Sequence, residues 1–98
     1  MKKVKTIDIE AKEWFDKING NSYFSGLVTV NYGMDSQTTF IMPFQYGYGD
    51  QYLQEAKSIL SDSQHIRIKG FGSLYGYCED NKIILRQRKI ENCLKREL

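Results

Sequence analysis

Two segments rich in glycine and tyrosine are the parts of this chain whose residue types best suit contact with a partner. They are residues 43–52, with the sequence PFQYGYGDQY, and residues 70–77, with the sequence GFGSLYGY. Glycine lets the backbone turn sharply or come close to a partner, and tyrosine offers an apolar ring together with a hydroxyl that forms hydrogen bonds. We therefore predict a partner-binding surface that contains four tyrosines: Tyr46, Tyr48, Tyr75 and Tyr77.

The first of these segments differs from a nucleotide-binding loop. A P-loop requires Gly-Lys-Ser/Thr and a dinucleotide-binding turn requires a third glycine, and neither follows Gly47 and Gly49. Asp50 would also place a negative charge at a helix N-terminus, where a phosphate would have to bind. The segment is more typical of an ordinary turn, and we expect no nucleotide and no other small-molecule substrate.

A basic surface is the second candidate site, and it would bind nucleic acid. Its six residues alternate along two predicted strands, three in each: His65, Arg67 and Lys69, and Lys82, Arg86 and Arg88. Alternating residues project from the same face of a strand. If the two faces align, the cations could hold phosphates while Tyr75 and Tyr77 stack bases, as in single-strand-binding proteins. The alternative is a solvent-exposed face with ordinary surface charge.

Residues that could support catalysis or bind a metal are few. His65 is the only histidine, and it has no acid or thiol partner nearby in the sequence. Cys78 and Cys93 would need further ligands, because a structural zinc site takes about four. Glu79 and Asp80 are more typical of a turn than of a metal-binding cluster. The sequence therefore predicts a protein that is not an enzyme and that has no metal site and no cofactor.

Length and composition indicate one folded domain that spans residues 1–98. Hydrophobic residues make up 41% of the chain and there is a single proline, which is unlike a disordered segment. No apolar run approaches the roughly 20 residues needed to cross a bilayer, and no signal peptide is recognisable. We therefore expect no membrane association, a cytoplasmic location and two reduced cysteines.

The first elements expected to position these residues are a strand and a helix. Residues 3–7 are predicted to form a short strand, and a helix is predicted from Asp8 to Gly20, since glycine commonly ends helices. The apolar stripe of this helix has four members at helical spacing: Ala11, Trp14, Phe15 and Ile18. Such a stripe is typical of a helix that packs on a core.

A β-hairpin is predicted next, from two segments in which apolar and polar residues alternate. Its strands are residues 23–32 and residues 38–44. The second strand would place Phe40, Met42 and Phe44 on one face.

The remaining elements complete an α+β domain. A second helix is predicted after Asp50 and ends near residues 61–63, followed by a strand at 65–69, a bend at 70–77 and a final strand at 82–90. A short C-terminal helix or a tail follows. The order is β-α-β-β-α-β-β, which suits a largely antiparallel sheet with two helices on one face.

Three stretches of the chain resemble small hypothetical proteins encoded by bacteriophages and other mobile elements. They are residues 13–25 (EWFDKINGNSYFS), 43–52 (PFQYGYGDQY) and 91–97 (ENCLKRE). The resemblance covers most of the chain but brings no established activity, so no functional residue is carried over from it. It implies a setting, because small phage accessory proteins often act by occupying a host protein, and inhibitors of CRISPR effectors are one such group.

The leading hypothesis from the sequence is a non-enzymatic accessory protein of phage type that binds a host protein or ribonucleoprotein. An anti-CRISPR-like inhibitor of a bacterial defence nuclease is one form that it could take. Tyrosine and arginine are favoured hot-spot residues at such interfaces. Two alternatives remain open: the nucleic-acid-binding module described above, and a structural or assembly component of a phage particle.

Overall fold

The chain begins with three consecutive β-strands, continues with two α-helices and returns to the sheet with a fourth strand. The computed structural model describes residues 3–68 and 72–98. The elements in these residues are β1 (Thr6–Asp16), β2 (Asn21–Val30), β3 (Thr38–Tyr46), α1 (Gln51–Asp62), α2 (Leu74–Asp80), β4 (Ile84–Ile90) and a 3-10 helix (Lys95–Glu97).

The strands form one mixed sheet in the order β3-β2-β1-β4. β2 is antiparallel to both β1 and β3, whereas β4 lies parallel to β1, with Ile7 beside Leu85 and Glu10 beside Arg88. Parallel neighbours require a long crossover connection, and here β2, β3 and both helices lie between them in the chain. β1 is therefore paired with β2 along one edge and, from Thr6 to Lys12, with β4 along the other.

The core lies between one face of the sheet and both helices. On β1, Ile7, Ile9 and Ala11 alternate with more exposed residues and are buried. The buried helix residues that join this cluster are Tyr52, Ala56, Leu60, Leu74 and Cys78. We call this side of the sheet the helix-covered face and the other side the open face. The predicted α+β class, with two helices on one face, is confirmed.

A charged cluster closes one edge of the helix-covered face. Lys89 on β4 donates hydrogen bonds to the Glu13 carboxylate and to the Gly49 carbonyl, both at 3.1 Å, and lies 3.4 Å from Glu91. Burial opposes the charged form of Lys89, but the hydrogen bonds and charges of Glu13 and Glu91 outweigh it and raise its pKa. The cluster therefore fastens β4 to β1 and to the loop before α1.

Asn31, just after β2, holds the start of β1 in place. Its side chain is buried, and its Oδ1 accepts hydrogen bonds from the backbone amides of Lys5 and Thr6 at 2.7 and 3.2 Å. Its Nδ2 donates to the Lys3 carbonyl and to Ser36 Oγ, each at 3.0 Å. Its φ of 55° lies in the left-handed region, which asparagine tolerates better than most residues. The hairpin loop and the entry to β1 therefore share one side chain.

The predicted hairpin, the helix after Asp50 and the final strand are confirmed. β2 and β3 pair in antiparallel register, and α1 begins at Gln51, although the Asp50 side chain makes no capping hydrogen bond. β4 falls within the predicted final strand, and only a three-residue 3-10 helix follows it.

The predicted helix at residues 8–20 is wrong, because these residues form most of β1 and the turn after it. Of the expected stripe only Ala11 reaches the core, since Phe15 is exposed and Ile18 is 94% exposed. Gly20 has a φ of 70°, a left-handed value that ends helices but equally suits a hairpin turn. Pairing of β1 on both edges and burial at every second residue outweigh the helical spacing.

Two predictions for the segment before β4 are also wrong. Residues 65–68 form no strand, and residues 74–80 form α2 rather than a bend between strands. Ser73 starts this helix, because its Oγ accepts a hydrogen bond from the Gly76 amide at 3.0 Å. The predicted element order therefore becomes β-β-β-α-α-β in the described residues.

Candidate functional site

The open face carries a large share of the exposed apolar surface. Twelve large hydrophobic residues are exposed in the described chain, and six of them, between 45% and 74% exposed, lie on this face. They are Leu27, Tyr32, Ile41, Phe44, Tyr46 and Ile84. Leu27 and Ile41 are direct cross-strand neighbours near the middle of the hairpin. Exposed apolar side chains grouped on one face are a feature of interaction surfaces.

An aromatic cluster occupies one end of the open face. The Tyr23 ring stacks on Trp14 and on Phe44, with centroids 5.5 and 5.2 Å apart, and meets Tyr46 edge to face at 5.8 Å. Lys95 Nζ lies 5.4 Å from the centroid of the Trp14 ring, within cation–π distance. Trp14, which was expected in the core, is half-buried here because the even-numbered residues of β1 point to the open face.

A β-bulge explains why Phe44 belongs to this cluster. The register of β3 against β2 slips by one residue between Met42 and Gln45, and an extra residue of this kind reverses the alternation of side chains. Phe44 therefore points away from Met42, and the prediction that the two share a face is wrong. Pro43 lies at the bulge, where a residue without an amide hydrogen is tolerated.

Two ion pairs cross from β1 to β4 on the open face. Arg86 donates two hydrogen bonds to the Asp8 carboxylate, at 2.6 and 2.9 Å, and Arg88 donates one to Glu10 at 2.6 Å. The hydrogen bonds to Asp8, together with its negative charge, raise the pKa of Arg86. Exposed pairs of this kind contribute little to stability, because solvent and salt screen their charges. Their main effect is that each arginine has its charge compensated within the same face.

Two clefts divide this surface. The larger, of about 450 Å³, lies over the two ion pairs and is bounded by Leu27 and Tyr32. The second, of about 330 Å³, lies beside the aromatic cluster, between Ile41, Phe44 and Leu98 of the C-terminal segment. The C-terminal segment is held near this end by a hydrogen bond of 3.0 Å to the backbone of β1. Protruding side chains of a partner could enter both clefts.

The four predicted tyrosines lie in different places. Tyr46 belongs to the open face, Tyr48 is exposed in the loop before α1, and Tyr75 is exposed on α2. Tyr77 is half-buried against the core. Tyr75 lines a separate cleft between α1, α2 and β4. This cleft is lined by Asp50 of the first glycine- and tyrosine-rich segment and by Ser73 and Tyr75 of the second, so the two segments meet there. It is not on the open face, and of the four predicted tyrosines Tyr46 alone belongs to the open face.

The predicted basic surface does not assemble. The His65 ring contacts the Phe40 ring edge to face at 5.5 Å, and its Nδ1 lies 2.7 Å from Ser63 Oγ, so His65 is near β3. Arg86 and Arg88 are on β4, at the opposite edge of the sheet. The two groups cannot form one patch, because β1 and β2 separate them.

The other three residues of that predicted surface do not restore it. Arg67 is exposed but lies in a segment that forms no strand, and Lys82 lies in the turn between α2 and β4 with a φ of 57°. Lys69 lies outside the described residues. The alternation of polar and apolar residues at 65–68 does not mark a strand. It arises because Ile66 is buried in the core.

Most of the open face was missed by sequence reasoning, since its members come from four strands and the C-terminal segment. One signal was available for β1: Ile7 and Ile9 alternate with Asp8 and Glu10, a pattern typical of a half-buried strand. Pro43 was a second signal, because a proline inside a strand pattern often marks a bulge or an edge.

Few other features of the described chain suggest a site. Cys78 and Cys93 are buried free thiols, and burial raises the pKa of Cys78. Within residues 3–68 and 72–98, no cluster of three or more His, Cys, Asp or Glu residues could hold a metal ion, and none of the helices is long and apolar enough to span a membrane. Comparisons with models of protein families, with curated proteins and with solved structures find no match to this chain.

Proposed function

We propose that this protein is a non-enzymatic binding protein and that its open face contacts another protein. The observation that carries the proposal is the set of exposed apolar side chains, Leu27, Ile41 and Phe44 among them, on a sheet face that neither helix covers. Protein interfaces have an apolar centre, with aromatic and arginine residues enriched and with a polar rim. The open face has this composition, with aromatic rings at one end and arginines along one edge.

A protein suits this face better than a nucleic acid because its arginines are already paired. Asp8 and Glu10 compensate Arg86 and Arg88, so these two cations are not free to neutralise phosphates. Nucleic-acid affinity derives mainly from uncompensated lysine and arginine residues. A protein partner requires no such excess of positive charge.

We further propose that the partner is a host protein or ribonucleoprotein in the bacterial cytoplasm. The resemblance to phage-encoded proteins supports this setting, in which the protein would inhibit a defence nuclease by occupying its surface. A partner from the phage particle, identified in the same capture experiment, would instead assign a role in assembly.

A matched pair of isoleucines gives a sharp test. Ile41→Asp places a charge in the open face, whereas Ile18→Asp places the same charge in the turn between β1 and β2, where Ile18 is 94% exposed. The partner would be captured from host lysate with the unaltered protein, identified by mass spectrometry, purified and titrated against each variant. We expect Ile41→Asp to weaken binding at least about tenfold, which corresponds to about 1.4 kcal/mol, and Ile18→Asp to leave it unchanged.

Two tyrosines extend this test to the sequence prediction. Tyr46→Ala removes an exposed ring from the open face, and Tyr75→Ala removes one from α2. We expect loss of affinity from Tyr46→Ala only. Equal affinities for all four variants and the unaltered protein would remove the open face from the interface.

Binding of single-stranded nucleic acid is the second candidate function, and the aromatic cluster is the observation that favours it. Tyr23, Phe44 and Tyr46 lie on an open sheet face beside Lys95, and bases stack on such rings. Titration with labelled oligonucleotides at low salt distinguishes the two functions. Binding that weakens steeply with salt and is lost in Phe44→Ala would favour nucleic acid, and no binding would favour a protein partner.

A further inference from the structure

The arginines and acids of the open face are balanced within a single copy. Its acids, Asp8 and Glu10, lie on the inner strand β1, and its bases, Arg86 and Arg88, lie on the edge strand β4. A two-fold axis makes each contact occur twice, with the roles of the two copies exchanged. Because Asp8 and Glu10 already compensate Arg86 and Arg88 within each copy, two open faces can pack together without an uncompensated charge between these rows, and no foreign partner has to supply one.

The area of the open face is close to what a dimer requires. Four strands about 4.8 Å apart, each about nine residues long at about 3.3 Å per residue, give a flat footprint of roughly 600 Å². Side-chain relief raises the accessible area above the flat value, and a standard interface buries about 800 Å² on each partner. Two open faces packed together would therefore reach the lower end of the range for stable complexes.

The apolar residues of the face lie where such packing would bury them. Leu27 and Ile41 are adjacent across β2 and β3, and Ile84 is exposed on β4 at the other edge. Sheets pack face to face at about 10 Å with interdigitated side chains. A second copy would thus cover apolar side chains from three strands at once.

We propose that two copies of this chain associate through their open faces, and that this dimer exchanges with the complex formed with the protein partner. The inference rests on the proposed function, because it takes the open face to be a protein-binding surface and names a second copy as one occupant. Self-association and partner binding use the same residues, so each excludes the other.

Sedimentation velocity of the purified full chain tests the proposal without any partner. We expect the unaltered protein to pass from monomer to dimer between about 1 and about 300 µM, the range in which a modest interface is half-occupied. Ile41→Asp should remain monomeric over that range, and Ile18→Asp should dimerise like the unaltered protein. Circular dichroism of each variant checks whether the fold is retained.

Emission from Trp14, the only tryptophan, assigns the association to this face. Trp14 lies in the aromatic cluster, so its emission should shift to longer wavelength when the dimer dissociates on dilution, and should be independent of concentration in Ile41→Asp.

A monomer at every concentration would overturn the dimer, even if Ile41→Asp also loses a captured host partner. Equal dimerisation of Ile41→Asp and Ile18→Asp would overturn the assignment to the open face. A third outcome is that Ile41→Asp abolishes the dimer but leaves binding of the host partner unchanged. That result would contradict the proposed function and leave the dimer intact as a proposal.

Discussion

The helix-covered face and the open face are built from alternating residues of the same strands, yet they differ in what their side chains contact. Val28 is fully buried under the helices, whereas its neighbour Leu27, which points the other way, is 46% exposed. Strand pairing places both residues with equal precision. What differs is the second layer, since α1 and α2 cover one side only. Apolar character on the covered side is explained by folding, and on the open side it needs another explanation.

The ion pairs of the two faces differ in the same way. Lys89 and Glu13, on the helix-covered side, have side chains only 16% and 17% exposed, whereas Arg88 and Glu10, on the open side, are 67% and 44% exposed. A nearly buried charge requires its partner, while an exposed one can be solvated by water. The first pair is therefore part of the folded architecture, whereas the folded state depends little on the second.

Two phenylalanines on opposite faces should show the largest difference in how much their substitution lowers the free energy of unfolding. Phe24 is buried on the helix-covered face, and Phe44 is partly exposed on the open face. We expect Phe24→Ala to lower the free energy of unfolding by about 3–5 kcal/mol through lost burial and cavity formation. Phe44→Ala should cost about 1 kcal/mol, mainly from lost ring stacking. Urea denaturation measures both, and equal losses would contradict the distinction between the faces.

Substitutions of two neighbouring cations on β4 should show a smaller difference in lost stability. Lys89→Met leaves Glu13 with little solvent and without its lysine, and we expect a loss of about 2 kcal/mol, reduced from the fully buried case by residual exposure. Arg88→Met should cost no more than about 0.5 kcal/mol. Methionine keeps an apolar stem in both variants, so packing is matched. Thermal unfolding in which the Arg88 variant loses as much stability as the Lys89 variant would show that the open-face pair is structural.

The turn between β1 and β2 belongs to neither face and supplies the smallest effect. The Asp16 carboxylate accepts hydrogen bonds from the Asn19 side chain and from the backbone amides of Asn19 and Ile18, and these lower its pKa. A lowered pKa means that its contribution is present above the unfolded value, near 4, and is lost as the pH falls through the folded value.

The difference in Tm between the unaltered protein and Asp16→Asn should therefore shrink between pH 6 and pH 3. Other carboxylates titrate in both proteins and cancel in this comparison. A difference that stays constant with pH would show that the charge of Asp16 has no role in the turn.

The elements that were predicted correctly from the sequence are those in which the spacing of apolar residues and the residues that mark the ends of the element indicate the same structure. β2 and β3 alternate clearly, and α1 follows Asp50 with an apolar stripe that includes Tyr52, Ala56 and Leu60. The N-terminal segment carries two patterns at once. Helical spacing at Ala11 and Trp14 coincides with a strand pattern at the preceding residues, and pairing on two edges decides between them only in the folded chain.

The candidate site was less predictable because its parts meet only through pairing. Trp14 and Tyr23 become neighbours through the register of β1 and β2, and Phe44 joins them only because the bulge reverses its direction. Arg86 pairs with Asp8, which lies 78 positions earlier in the sequence. The prediction of one basic surface was wrong for the same reason. A shared charge does not determine which edge of the sheet each residue occupies.

From the parallel pairing of β1 with β4 we also expect an order of events during folding. β1, β2 and β3 can assemble from neighbouring hairpins, whereas β4 must return across nearly the whole chain, and such long-range closure is slow. Until β4 arrives, one edge of β1 presents unpaired amide and carbonyl groups along a strand of 11 residues, an edge of the kind that pairs with other chains. We therefore expect this protein to be most prone to aggregate in the interval before closure, and we expect slower return of β4 to lengthen that interval.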